Sequence, residues 1–252
     1  MDATGVFGQH DSRVRLEWGA HGVDVLAGFC AVVVVVDVLS FTTSVDIALG
    51  RGARIQPLPW RDEPAAAAAK AGGAVLAGEQ KWTLRPASLL DIPAGTLLAV
   101  PSPNGATLCT RVAGRGAVVL AGCLRNAAAV AGLAADLADG GPIGVLPGGE
   151  RWWVDGFPLR PCVEDQLGAG AIVAALDDLG VRPASPEAAL AAAGYRATAD
   201  VPGTIAACVS GRELIDIGHG AGVGLATEIG VSSVTPRLVD GVLLDASARL
   251  SA

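Results

Sequence analysis

Asp37 closes a run of five valines, Val32 to Val36, and the chain then turns polar at once through Ser40, Thr42, Thr43 and Ser44. A β-branched run of that length reads as a strand buried on both faces, which puts Asp37 where the strand leaves the core. Similar places, where a strand or loop gives way to a helix, are held by Glu79, by Ser102, Asn104, Gly105 and Thr107, by Asn126, and by Glu164 with Asp165. In open parallel sheets such loops gather at the carboxyl ends of the strands, where ligands bind. Three or four carboxylates meeting amides and hydroxyls there make an oxygen-rich site for a hard divalent cation, most simply Mg2+. Backbone N–H groups at Gly105 and neighbouring helix starts could hold phosphate oxygens. The combination suits phosphoryl chemistry. Asp37 also has a blander reading, as the cap of the helix that follows it, and the motif by itself leaves both open.

The elements that must position these residues alternate along the chain. The pattern predicts a helix over 41–49, a strand over 54–58 and a helix opened by Asp62, Glu63 and Pro64. Strands follow over 74–77, 96–100, 117–121 and 143–146, with helices over 106–112, from Asn126 as cap to about Asp139, and over 164–179. Ser185 with Pro186 opens another helix, 204–209 reads as one more, and 237–244 reads as an edge strand. In the long loop 147–160, Trp152 and Trp153 could cover a pocket or simply pack the loop. The alternation predicts an α/β fold in three layers, α/β/α, around a mainly parallel sheet. Residues 1–252 are expected to form a single domain, as one unit or as two closely packed halves.

Composition narrows the partners. The chain is 51% hydrophobic and only 17% charged, which supplies a large core and excludes disorder. Eighteen Lys and Arg against 25 Asp and Glu leave a net charge of -7, which argues against nucleic acid, since phosphate backbones demand a basic surface. The longest apolar run stops at Asp37 after about a dozen residues, short of the roughly 20 that a membrane span requires. The N-terminal stretch carries polar and charged residues where a secretion signal would be apolar. Cys30, Cys109, Cys123, Cys162 and Cys208 are scattered, with no CxxC pair, as expected of a reduced, cytoplasmic protein. The expected partner is a small anionic phosphoester, with no nucleic acid and no membrane, and a homo-oligomer is compatible with these bounds.

Several familiar phosphoryl-transfer patterns fail on single residues. A phosphatase of the haloacid-dehalogenase type needs a second carboxylate two positions after its aspartate, and here that position is Leu39. Cys109 and Arg115 have the C-x5-R spacing of a cysteine phosphatase, yet Val112 stands where that loop wants glycine and Cys109 falls inside a predicted helix. The glycines from Gly218 to Gly224 lack the dinucleotide spacing, and there is no P-loop. His10, His21 and His219 share no ligand spacing. Of the three, His219, near Arg212, is retained as a site candidate.

Residues 32–53 (VVVVVDVLSFTTSVDIALGRGA), Gly78 with Glu79, 102–107 (SPNGAT), 123–127 (CLRNA), 163–173 (VEDQLGAGAIV) and 210–214 (SGREL) together resemble the 2-phosphosulfolactate phosphatases, in that family's order from about residue 14 to residue 240. The resemblance implies a Mg2+-dependent acid phosphatase that hydrolyses 2-phospho-3-sulfolactate to sulfolactate and phosphate, a step toward coenzyme M. Asp37 matches the family's aspartate after its first strand, Asn104, Gly105 and Thr107 its asparagine-glycine-threonine block, Glu164 and Asp165 its acidic pair, and Arg212 its serine-glycine-arginine block. Chemistry then suggests the roles: Asp37, Glu164 and Asp165 catalytic, with Asp37, Glu79 and Asp165 toward the metal and Glu164 as the acid/base or water-orienting carboxylate. Asn104, Thr107 and Arg212 are assigned to substrate oxygens, beside Ser102, Gly105 and Asn126. The chain departs from the family at Ser40, where an arginine is usual, and near Arg85 to Ser88, where an asparagine-serine-proline block is missing; Arg85 and Arg125 are candidate replacements for the lost guanidinium. The expected mechanism is direct attack by water on phosphorus without a covalent enzyme intermediate. The competing class is a non-catalytic small-anion binding protein on the same fold.

Overall fold

In the computed structural model, which describes residues 5, 7–152 and 154–247, the five valines from Val32 to Val36 are all buried in one strand. Successive strand side chains point to opposite faces, so Val32, Val34 and Val36 enter one apolar cluster while Val33 and Val35 enter another. A strand covered on both faces has no solvent side to keep polar, which is why its sequence does not alternate.

The strands in chain order are β1 (Val14–Leu16), β2 (Val32–Val36), β3 (Arg54–Pro59), β4 (Val75–Leu76), β5 (Leu97–Ser102), β6 (Val118–Gly122), β7 (Ile143–Pro147), β8 (Glu150–Arg151), β9 (Leu159–Arg160), β10 (Pro236–Val239) and β11 (Val242–Asp245). The helices are α1 (Gly19–Leu26), α2 (Phe41–Gly50), α3 (Glu63–Ala71), α4 (Gly105–Ala113), α5 (Ala127–Ala138), α6 (Val163–Asp178), α7 (Pro186–Ala197), α8 (Val201–Ala207), α9 (Val209–Asp216) and α10 (Gly220–Ala226). The main sheet runs β1-β7-β2-β6-β10-β11-β3-β5-β4. It is mostly parallel: β1, β7, β2 and β6 form one parallel block, and β3, β5 and β4 form a second. The two are joined through antiparallel pairings of β6 with β10, β10 with β11, and β11 with β3. Segment 237–244, expected as an edge strand, is therefore a hairpin in the middle of the sheet, and it reverses the sense of the second block relative to the first.

Helices α5, α6 and α7 cover one face, packing alanines and Ile172 onto the even-numbered valines. On the other face α1, α2 and α4 meet Val33 and Val35 together with Ile55, Leu98 and Val100 of the second block. The result is an α/β/α arrangement. Helix α2 touches β3, β6, β10 and β11 and lodges between the blocks, so every residue from Phe41 to Leu49 is buried. Its polar side chains are satisfied internally, as burial requires. Thr42 and Thr43 donate back to the carbonyls of Asp37 and Val38 at 2.8 Å each, and Ser44 donates to the Leu84 carbonyl at 2.7 Å. Among the described residues no helix is long and apolar enough to cross a membrane.

Candidate functional site

Asp37 leaves the end of β2 and is held by the starts of two helices at once. Its Oδ2 accepts the Gly105 N–H, the first of α4, at 2.7 Å, and its Oδ1 accepts the Phe41 N–H, the first of α2, at 3.3 Å. Both donors are orphans of helix starts, which welcome negative charge. Asp165, in the first turn of α6, is anchored in the same manner: Oδ1 accepts the Val38 N–H and Oδ2 the Gly149 N–H, each at 2.8 Å. Gly149 has φ +65, and a Cβ there would meet the Arg160 carbonyl at 2.9 Å, so only glycine presents its N–H in this way. The ends of β2 and β7 and the starts of α2, α4 and α6 are thus bound together by two carboxylates.

Asp37, Glu164 and Asp165 line one cleft of about 670 Å3. All three are buried, at 6%, 4% and 3% exposure. Burial pushes the Asp37 carboxyl up from 3.8 to about 6, against the pull of the two N–H donors, and the charges of Glu150 and Glu164 add to the rise. Burial also lifts Asp165 well above the ordinary range, helped by the charges of Asp37 and Glu164. Buried side by side and both raised, the two aspartates oppose each other's ionisation, so their charges are coupled. Glu164 is held more loosely: among the described residues its one hydrogen bond is from the Cys208 thiol to Oε2 at 3.3 Å. Burial pushes that thiol up to about 11, which keeps it a donor.

The remaining expected residues divide. Ser102 and Asn104 line the cleft. The Ser102 hydroxyl is buried without a hydrogen-bond partner among the described residues, and Asn104 Nδ2 donates to Glu150 Oε2 at 3.4 Å. Gly105 contributes its N–H to Asp37, so that group is not free for a phosphate oxygen. Thr107 stands behind the site, donating to the Ser102 carbonyl at 2.6 Å and accepting the Trp60 N–H at 3.3 Å. Asn126 sits at the N-cap position of α5 without making a cap bond; it accepts the Cys123 N–H and donates to the Val234 carbonyl, tying β6 to the approach to β10. Glu79 turns away from its cleft-lining neighbour Gly78 and pairs with Lys70 at 2.7 Å, with its side chain 45% exposed. Arg212 is exposed on α9 and borders a separate shallow groove, while Glu213 beside it reaches the cleft.

Sequence reasoning missed Glu150, Ser210 and Glu213 as cleft residues. Ser210 and Glu213 stood inside a recognised block; Glu150 carried no helix-start signal, because the β8–β9 hairpin brings it in. His219 and Arg85 line the cleft as well. Arg125 does not, being held by Asp46 at 2.7 Å, by the Leu225 carbonyl at 3.1 Å and by Glu228. Cys109 is buried inside α4, and burial with the nearby Asp37 charge drives its thiol far up, the state of a core residue and not of a nucleophile. Trp152 lies outside the cleft, under the Arg160 guanidinium. Trp153 falls outside the described residues.

The donor set fits a hard cation only in part. Among the described residues Asp37, Glu150, Glu164, Asp165 and Glu213 share the cleft lining with a single guanidinium, that of Arg85, and the two raised aspartates would gain from a positive charge between them. Each aspartate oxygen has a second lone pair beyond its N–H bond. Among the described residues, however, no three carboxylates, histidines or cysteines are placed to close a metal site by themselves. That suits Mg2+, which is usually bound by one or two carboxylates and completes its shell with water and substrate oxygens.

No curated protein matches the chain. The family model for 2-phosphosulpholactate phosphatase matches residues 24–241, a span that takes in the ends of β2, β5 and β7 and the starts of α2, α4, α6 and α9. The chain belongs to the 2-phosphosulpholactate phosphatase family.

Proposed function

We propose that the protein is a Mg2+-dependent hydrolase of a small acidic phosphomonoester, with 2-phospho-3-sulfolactate or a close analogue as substrate. The observation that carries this reading is that three carboxylates, two of them 127 residues or more from the third along the chain, line one cleft beside an unpartnered hydroxyl. The family to which the chain belongs is one of phosphatases. A binder of small anions would not need to bury mutually repelling acids at considerable cost.

Asp37 and Asp165 would hold the cation, which would supply positive charge against the phosphoryl oxygens and orient the attacking water. Ser102 Oγ, in the cleft wall and without a partner among the described residues, donates to a phosphoryl oxygen. Glu164, with Oε2 held by Cys208, accepts the proton of the attacking water through Oε1 and returns it to the ester oxygen as the P–O bond breaks. The products are the free alcohol and inorganic phosphate. The test is phosphate release from a panel of small phosphomonoesters with and without Mg2+. Release that requires the ion is expected; none with any ester would identify a binding protein.

A further inference from the structure

The main cleft has a side pocket of different character. The pocket measures about 70 Å3 and shares Ser40, Arg85, Leu214 and His219 with the cleft. That is about a tenth of the cleft's volume, room for one small substituent beside the main site and not for a second substrate molecule. Among the described residues the cleft is walled by five carboxylates and the side pocket by none; the pocket's polar side chains are the Ser40 hydroxyl, the Arg85 guanidinium and the His219 imidazole. Among the described residues the Arg85 side chain makes no ion pair and no hydrogen bond, although it is half-buried. Among the described residues it is the only lysine or arginine that lines the cleft; Arg125, the other candidate, is engaged elsewhere.

We infer that the Ser40, Arg85 and His219 pocket seats a second anionic group of the substrate, a carboxylate or sulfonate carried close to the phosphoester. The inference rests on the phosphoester reading above and deepens it. A phosphoryl group at the carboxylate-rich wall needs a cation between, whereas a planar guanidinium meets an oxyanion directly with two parallel hydrogen bonds. The site is thus polarised, and the direction of that polarity fixes which end of a bifunctional ester enters where. Lysine at the same position would supply the charge without the fork.

The experiment compares kcat/KM for 2-phospholactate and for ethyl phosphate in wild type, Arg85→Met and Arg85→Lys, all with Mg2+. Wild type is expected to prefer the acid-bearing ester; the ratio of the two kcat/KM values should fall at least about tenfold in Arg85→Met and by less in Arg85→Lys. An unchanged ratio, or a wild type without preference, overturns the inference. Calorimetric titration with lactate and with sulfoacetate reads the pocket without turnover: binding lost in Arg85→Met supports it, and equal or absent binding in both proteins overturns it. If no ester is hydrolysed but the acids still bind through Arg85, the phosphatase reading fails and the pocket stands. Circular dichroism of each variant separates misfolding from loss of the group.

Discussion

Asp37 Oδ2 accepts the Gly105 N–H at 2.7 Å across 68 residues of sequence, so the end of one parallel block and the helix that follows the other are joined through the acid on which the proposed chemistry depends. A Cβ on Gly105 would lie 2.8 Å from that oxygen and 2.4 Å from Phe41 Cδ1. Gly105→Ala should therefore push Asp37 out of place, costing about 1–3 kcal/mol by overpacking and most of the activity. Thermal melting together with phosphate release measures both; an active, unshifted variant would refute the close approach.

The raised carboxyls give stability a defined pH dependence. The folded chain keeps a proton on Asp37 up to about pH 6, where the unfolded chain has lost it above about pH 4. Between those values the folded state binds more protons, so this contribution is fully present below the window and is lost as pH rises through it, by roughly 3 kcal/mol at most for Asp37 alone. Melting temperatures of the metal-free protein at pH 4.5 and 7 should fall more steeply for wild type than for Asp37→Asn, and Mg2+ should raise the wild-type value more at pH 7. Parallel profiles for the two proteins would count against a buried, strained acid.

Glu164→Gln removes the proton acceptor while keeping the shape, and kcat should drop by about 10²–10⁴-fold with KM little moved. Cys208→Ala, which frees Glu164 Oε2, should lower kcat by about tenfold. Cys208→Ser should restore most of it, because a hydroxyl donates as well and, at the N-cap of α9 where the Cys208 side chain accepts the Gly211 N–H, is a better cap. Equal losses in the alanine and serine variants would show that the thiol does not position Glu164.

Glu79→Ala breaks only a surface pair with Lys70. Its cost should be below about 1 kcal/mol, and turnover should persist at the same Mg2+ concentration. A strong rise in the Mg2+ needed for activity would return Glu79 to the metal. Cys109→Ser should also remain active, though less stable, since it puts a hydroxyl into a fully buried apolar place.

The parts of the site that were legible follow from local rules. Five valines in a row admit only a doubly covered strand, and an acid at its end is exposed to helix starts whatever the rest of the sheet does. Glu164 and Asp165 announce themselves in the first turn of a helix that buries eleven of its sixteen residues. Pairing across the sheet is a long-range matter, and residues 237–244 carry the pattern of a strand with no sign of their neighbours; only the coordinates put the hairpin at the centre. Glu79 illustrates the limit of strand-end logic. It follows β4, the outermost strand of its block, where water and Lys70 compete for the carboxylate. Asn126 and Thr107 were found as polar residues at the right junctions, but their side chains are consumed by backbone groups, an accounting that needs the partners in three dimensions.

The most direct measurement is a crystal structure of the protein soaked with Mg2+ and inorganic phosphate. The account requires an ion touching oxygens of Asp37 and Asp165, with phosphate beside Ser102 Oγ and a water facing Glu164. An ion bound at Glu79, or phosphate settling elsewhere while the cleft stays free of metal, would contradict it.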